Sequence, residues 1–190
     1  MFREFSLALP LVVAASIAGA VDAPPAMKAF VETDIMAWAT GPQVVDAINA
    51  QNAETAGATQ AQIDAWDGQW RAEVGQAEQP LISEVMGRSL SAFLGEQVAA
   101  SGGRITEIFV MDGLGLNVAA SDVTSDYWQG DEAKFQKTHG VGPGTVFVDE
   151  VEFDESSQTY QGQVSVALTD PATGEVIGAI TVGLNAEAFF

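Results

Sequence analysis

The sequence predicts an α+β domain, with helices in the first half of the chain and an antiparallel sheet of five strands in the second. Three observations carry this. Up to Val98 the apolar residues recur at helical spacing; after Gly102-Gly103 they alternate as strands do; and glycine-rich or Asp-Pro-containing turns separate the alternating runs.

The chain has 190 residues, 47% of them apolar and 17% charged, enough for one ordinary core and outside the composition of disordered chains. It opens on Met1-Phe-Arg-Glu-Phe, an apolar run from Ser6 to Ala18, and Ala18-Gly19-Ala20. This is the pattern of a secretory signal peptide cleaved after Ala20, and the run is short for a membrane span. Glu4 offsets Arg3, so an uncleaved inner-membrane anchor stays open as the alternative. The expected organisation is a signal peptide over 1–20 and a single domain over 21–190, helical over 25–103 and sheet over 104–190, located in the periplasm.

Met27, Val31, Ile35 and Trp38 form one stripe on a helix reaching about Ala39, which Gly41-Pro42 breaks. Val44, Val45 and Ile48 resume the pattern. Thr59 is the expected N-cap of a second helix carrying Ile63, Trp66, Trp70 and Val74. A third starts near Pro80 and runs unbroken through Leu90 and Leu94 to Val98, stopped by Gly102-Gly103. Trp38, Trp66 and Trp70 sit at core spacing and are read as packing.

Ile105 to Asp112, a turn at Gly113 to Gly115, and Leu116 to Ser121 form a hairpin. Strands follow over Thr145 to Phe153, Tyr160 to Thr169 and Glu175 to Leu184, the last two joined by Asp170-Pro-Ala-Thr-Gly174. In the penultimate strand Gly162, Val164, Val166 and Leu168 share one face, and Gln161, Gln163, Ser165 and Ala167 the other. In the last strand Ile180, Val182 and Leu184 oppose Ala179 and Thr181. The helices must cover the apolar face. The second face, with Gln163, Ser165 and Thr181, is left for a concave ligand site.

Over that face the segment Thr124 to Thr138 is expected to fold, with Tyr127 and Trp128 as an aromatic lid. Core packing beneath the loop is the competing reading for both. Lys134, with Lys137 and His139, is placed to meet a carboxylate, against the alternative of a solvated face. Asp149 is a candidate anchor for an amine, or else an edge-strand charge. The acidic run from Asp149 to Glu155 lacks the glycine-turn spacing of a calcium loop, so no metal site is expected.

A net charge of −19 repels nucleic acid and anionic lipid, so neither is expected as a partner. With no cysteine there are no disulfides and no thiolate chemistry. The single histidine, His139, and the absence of a Gly-x-Ser-x-Gly turn argue against a serine hydrolase. No catalytic residue and no cofactor are expected, and the chain is read as non-enzymatic. A hydrolase built on two paired carboxylates is the minor alternative.

Three stretches carry a resemblance: Ile108-Phe-Val-Met-Asp-Gly-Leu-Gly-Leu-Asn-Val-Ala-Ala-Ser121, Ser125-Asp-Tyr-Trp-Gln-Gly-Asp-Glu132, and the closing hairpin from Val164 to Gly183. With the order of elements, they resemble Cache domains, also called PDC sensor domains, of the single-Cache type. The resemblance covers nearly all the chain after residue 20. It implies a PAS-like sheet with long N-terminal helices on one face, and extracytoplasmic sensing of an amino acid, amine or short carboxylate. Receptors of that family continue into a membrane helix and a signalling module, whereas this sequence stops at Phe190. The expectation is therefore a sensory domain acting through a membrane receptor partner. A ligand-free protein-interaction module is the alternative. Pairing of the N-terminal helix with its symmetry mate would make a homodimer.

Overall fold

The computed structural model describes residues 22–154 and 158–190. The signal-peptide reading of residues 1–20, and Glu155 of the acidic run, lie outside the described residues. Helix α1 (Pro25–Phe30) starts on a proline at its first position, where a missing N–H costs nothing. The helical run then loosens into a π turn (Val31–Ile35) before α2 (Met36–Ala39). The Thr33 hydroxyl donates to the Ala29 carbonyl inside this stretch, a local bond that competes with the regular ladder. Gly41 is extended and ends the run, and α3 (Pro42–Thr55) again begins on a proline. Helix α4 (Gln60–Glu73) follows Thr59 as expected, and the Gln62 carboxamide oxygen accepts the Thr59 backbone N–H at 3.0 Å.

The expected third helix is two helices, α5 (Pro80–Met86) and α6 (Ser89–Ala100). Gly87 closes α5, and Arg88 adopts an extended ψ of 146°. Side chains stabilise the break. The Ser91 hydroxyl donates to the Val85 carbonyl at 2.7 Å, and the Arg88 guanidinium donates to the Val118 carbonyl at 2.8 Å.

The sheet comprises β1 (Ile105–Met111), β2 (Asn117–Ala120), β3 (Val146–Val148), β4 (Glu152–Asp154), β5 (Thr159–Thr169) and β6 (Val176–Asn185). Its order is β2-β1-β6-β5-β3, with β4 also paired to β5. All pairings are antiparallel. The expected third strand is thus divided around Asp149 to Val151, which makes six strands of the five anticipated. Between the two pieces the Asp149 N–H still reaches the Gln163 carbonyl, while its carboxylate turns back to the Glu150 N–H.

The faces divide as alternation requires. Val164, Val166, Leu168, Ile180, Val182 and Leu184 pack with Ile108 and Val110 against Met27, Val31, Ile35, Ile48, Leu90 and Leu94 of the helices, forming the main core. A second cluster unites Ile63 and Trp70 of α4, Ile82 and Val85 of α5, and Leu116 and Tyr127. The architecture is α+β, with N-terminal helices on one face of an antiparallel sheet.

Candidate functional site

The second face of the sheet is organised in rows by strand register. Gln163 lies opposite Gly183 and Gly183 opposite Glu107; the next row is Ser165, Thr181 and Phe109; the next Ala167, Ala179 and Met111. The Glu107 carboxylate accepts from Gln163 Nε2 of its own row at 2.9 Å and from Gln161 Nε2, two residues away along β5, at 2.8 Å. The row requires a glycine at 183, because a Cβ there would stand 2.6 Å from the Glu107 Cγ and 2.9 Å from Gln161 Nε2. In the second row the Ser165 and Thr181 hydroxyls are fully buried and bonded to each other at 2.9 Å.

Above these rows lies a cavity of about 350 Å³ lined by Glu107, Phe109, Gln129, Lys134 and Gln163, with Val123 to Asp126 along its rim. Helix α7 (Ala133–Gln136) supplies Lys134 and buries Phe135 against the sheet. The Lys134 ammonium stands 5.2 Å from the centre of the Phe109 ring and pairs with Glu132 at 2.9 Å. Its side chain is only 15% exposed. Across the cavity the Asp126 carboxylate accepts from Gln129 Nε2 at 2.8 Å and faces Arg71 of α4 at 3.6 Å. The site therefore presents one ammonium, two carboxylates, carboxamides and one aromatic face.

The expected site residues divide. Lys134 and Gln163 line the cavity. Ser165 and Thr181 belong to the same face, but each uses its hydroxyl on the other. Asp149 stands at the β3–β4 junction and is not among the lining residues. Lys137 sits over Phe147 at 4.5 Å, and His139 stacks on Phe135 at 4.7 Å, so the expected basic trio does not converge. Burial lowers the His139 pKa, against an opposing pull from Asp112.

Tyr127 and Trp128 do not form a lid over the second face. Residues 127–129 run antiparallel to the start of β2, with Asn117 N–H bonded to the Tyr127 carbonyl and Gln129 N–H to the Gly115 carbonyl. That approach requires Gly115, whose φ is +85° and whose Cβ would meet the Gly130 Cα at 2.6 Å. On the helix side, Asp67 of α4 accepts the backbone N–H groups of both Tyr127 and Trp128 through one oxygen, and its other oxygen pairs with Arg71 at 2.8 Å. The Tyr127 ring consequently stacks on Trp70 at 5.4 Å, and burial drives its hydroxyl pKa up to about 12. Trp128 Nε1–H bonds the Leu114 carbonyl. Tyr127 is buried in the second hydrophobic cluster, and Trp128 packs against that cluster half-buried.

No protein-family model matches the chain, and no curated protein does. Solved structures with a similar arrangement include the sensor domain of the Vibrio cholerae histidine kinase DctB. There identity is 13% over 86% of this chain and 52% of that one, with a TM-score of 0.47. The sensory domain of the Campylobacter jejuni chemoreceptor Tlp3 with isoleucine bound is 13% identical over 84% of this chain and 64% of that one, with a TM-score of 0.41. An extracellular ligand binding receptor from Desulfohalobium retbaense is 13% identical over 80% of this chain and 26% of that one, with a TM-score of 0.40. This chain spans about half the length of the DctB domain and under two thirds of the Tlp3 domain.

Glu107, Phe109, Asp126 and Gln129 were not among the residues expected from sequence. Glu107 and Phe109 were accessible to the alternation rule, which places them on the face opposite Ile108 and Val110. Asp126 and Gln129 belong to an irregular segment whose path is set by pairing with β2 and by Asp67, and no periodicity marks them. Among the described residues no cluster of three His, Cys, Asp or Glu side chains could hold a metal ion, and no helix is long and apolar enough to cross a membrane.

Proposed function

We propose that this chain is a periplasmic sensory domain that takes a small molecule into the cavity over the second face of the sheet and conveys its presence through a membrane receptor. The observation that carries this reading is the opposition of charge across one small cavity. Lys134 stands over Phe109 on one side, and the Glu107 and Asp126 carboxylates stand on the others. A half-buried ammonium and carboxylates placed in this way suit a zwitterion, whose carboxylate meets Lys134 and whose ammonium meets Asp126 or Glu107. Phe109 and Val123 offer apolar contact to a short side chain. Within the class of amino acids, amines and short carboxylates, an amino acid satisfies both signs of charge. The sequence resemblance to Cache domains supports the same reading, as does the expected signal peptide for the periplasm.

The test is the melting temperature of the protein across a panel of amino acids, amines and short carboxylates. A ligand at about a hundred times its Kd stabilises by about 2.7 kcal/mol, which for a chain of this size raises Tm by about 5 to 10 °C. Lys134→Ala should abolish the shift from zwitterionic amino acids, and Glu107→Gln should weaken it. If no member of the panel moves Tm, a ligand-free interaction module becomes the better account.

A further inference from the structure

A second polar cavity lies on the helix side of the molecule, away from the sheet face. Two adjoining lobes, of about 170 and 390 Å³, share Gln51, Glu54, Glu84 and Arg88. Trp66, Leu81 and Tyr127 wall the smaller lobe. Arg88 occupies the break between α5 and α6, and its position there is fixed from beneath. Its Nη1 donates to Gln51 Oε1 at 2.5 Å and to the Val118 carbonyl at 2.8 Å, and Gln51 in turn donates to the buried Asp112 carboxylate at 3.1 Å.

The outer edge of the same guanidinium is differently engaged. Nη2 meets a single oxygen of Glu84 at 2.9 Å, and that carboxylate is 65% exposed. Among the described residues none accepts from the Nε–H of Arg88 into the cavity. The chain has seven basic residues against 26 acidic ones, and here one of the seven is anchored by its inner edge while its outer edge holds a replaceable, one-oxygen partner. A guanidinium fork takes a carboxylate best through two parallel bonds, which Glu84 does not supply.

We propose that this cavity is a second binding site, for a monocarboxylic acid with an apolar or aromatic tail. The ligand carboxylate takes the outer edge of Arg88 in place of Glu84, and the tail lies against Trp66, Leu81 and Tyr127. Glu54 and Glu84 at the rim make the site selective, because a second carboxylate on the ligand would stand beside them. The site is separate from the sheet-face cavity, and its occupancy does not depend on Lys134.

The experiment is calorimetric titration of the protein with phenylacetate at neutral pH. Saturable binding is expected, with Glu84→Gln tightening it by about threefold as the internal competitor is removed. Trp66→Leu should weaken it, succinate should bind roughly tenfold more weakly, and Lys134→Ala should leave it unchanged. Arg88→Lys should abolish it; if that variant fails to fold, Glu84→Gln, at an exposed position, and Trp66→Leu decide the matter. Absence of saturable heat up to about 10 mM phenylacetate, or a Kd indifferent to Glu84→Gln and Trp66→Leu, overturns the proposal. So does loss of binding in Lys134→Ala, which would place phenylacetate in the sheet-face cavity.

Discussion

Asp112 has no exposure to solvent, yet four groups donate to its carboxylate: Gln51 Nε2, the Thr55 hydroxyl, and the backbone N–H groups of Leu114 and Leu116. It closes the β1–β2 turn and ties that turn to α3. Asp112→Ala would strand these donors in the interior, and a loss of about 3 kcal/mol is expected, readable as a lower urea midpoint with the slope unchanged. Trp70 is fully buried, stacks on Tyr127 and donates to the Thr124 carbonyl at 2.8 Å. Trp70→Ala should cost about 3 to 5 kcal/mol, measured in the same way. Its role as packing was legible from its spacing on an amphipathic helix. The role of Asp112 was not, because a single acid before Gly113 reads as turn chemistry, and only the docking of α3 turns it into a buried anchor.

At the level of elements, the start of α5 shows how a helix end is completed from a distant residue. The Glu73 carboxylate accepts the N–H groups of Leu81 at 2.8 Å and Ile82 at 3.0 Å, two donors that α5 cannot satisfy itself. Burial acts to raise the Glu73 pKa, but the Ile82 N–H, the Gln69 carboxamide and the Leu81 N–H together bring it below the usual carboxylate value. The unfolded chain then binds more protons than the native one, so stability is present above the unfolded carboxylate pKa and is lost as pH falls through the native one. His139, with its pKa lowered by burial, acts in the same direction at higher pH, beginning below about 6.5. A plot of unfolding free energy against pH should fall in two stages on acidification. His139→Gln should remove the upper stage, and Glu73→Gln should shrink the lower. The existence and type of most elements were legible in the sequence, since Met27 to Trp38 and Val164 to Leu184 follow strict periods. The break at Gly87-Arg88 was hidden because Ile82, Met86, Leu90 and Leu94 keep helical spacing across it. It is fixed instead by Ser91 and Arg88 reaching partners outside the helix.

Across the whole molecule, the surface is governed by a net charge of −19. Self-repulsion of this size opposes the compact state and is screened over about 10 Å at 0.1 M salt. Tm should therefore rise with sodium chloride between about 0.01 and 0.15 M, and a flat response would show that the acids are locally compensated. The link from Asp67 through Arg71 to Asp126 spans from α4 to the rim of the sheet-face cavity. The oxygen of Asp67 that Arg71 leaves free holds the amide hydrogens of Tyr127 and Trp128. Anything that draws Asp126 toward a bound ammonium loosens its hold on Arg71 and alters the charge felt by those two amides. If the proposed ligand binds there, the resonances of these two amides should shift with its occupancy, registering the event in solution without a label, a dye or a substitution.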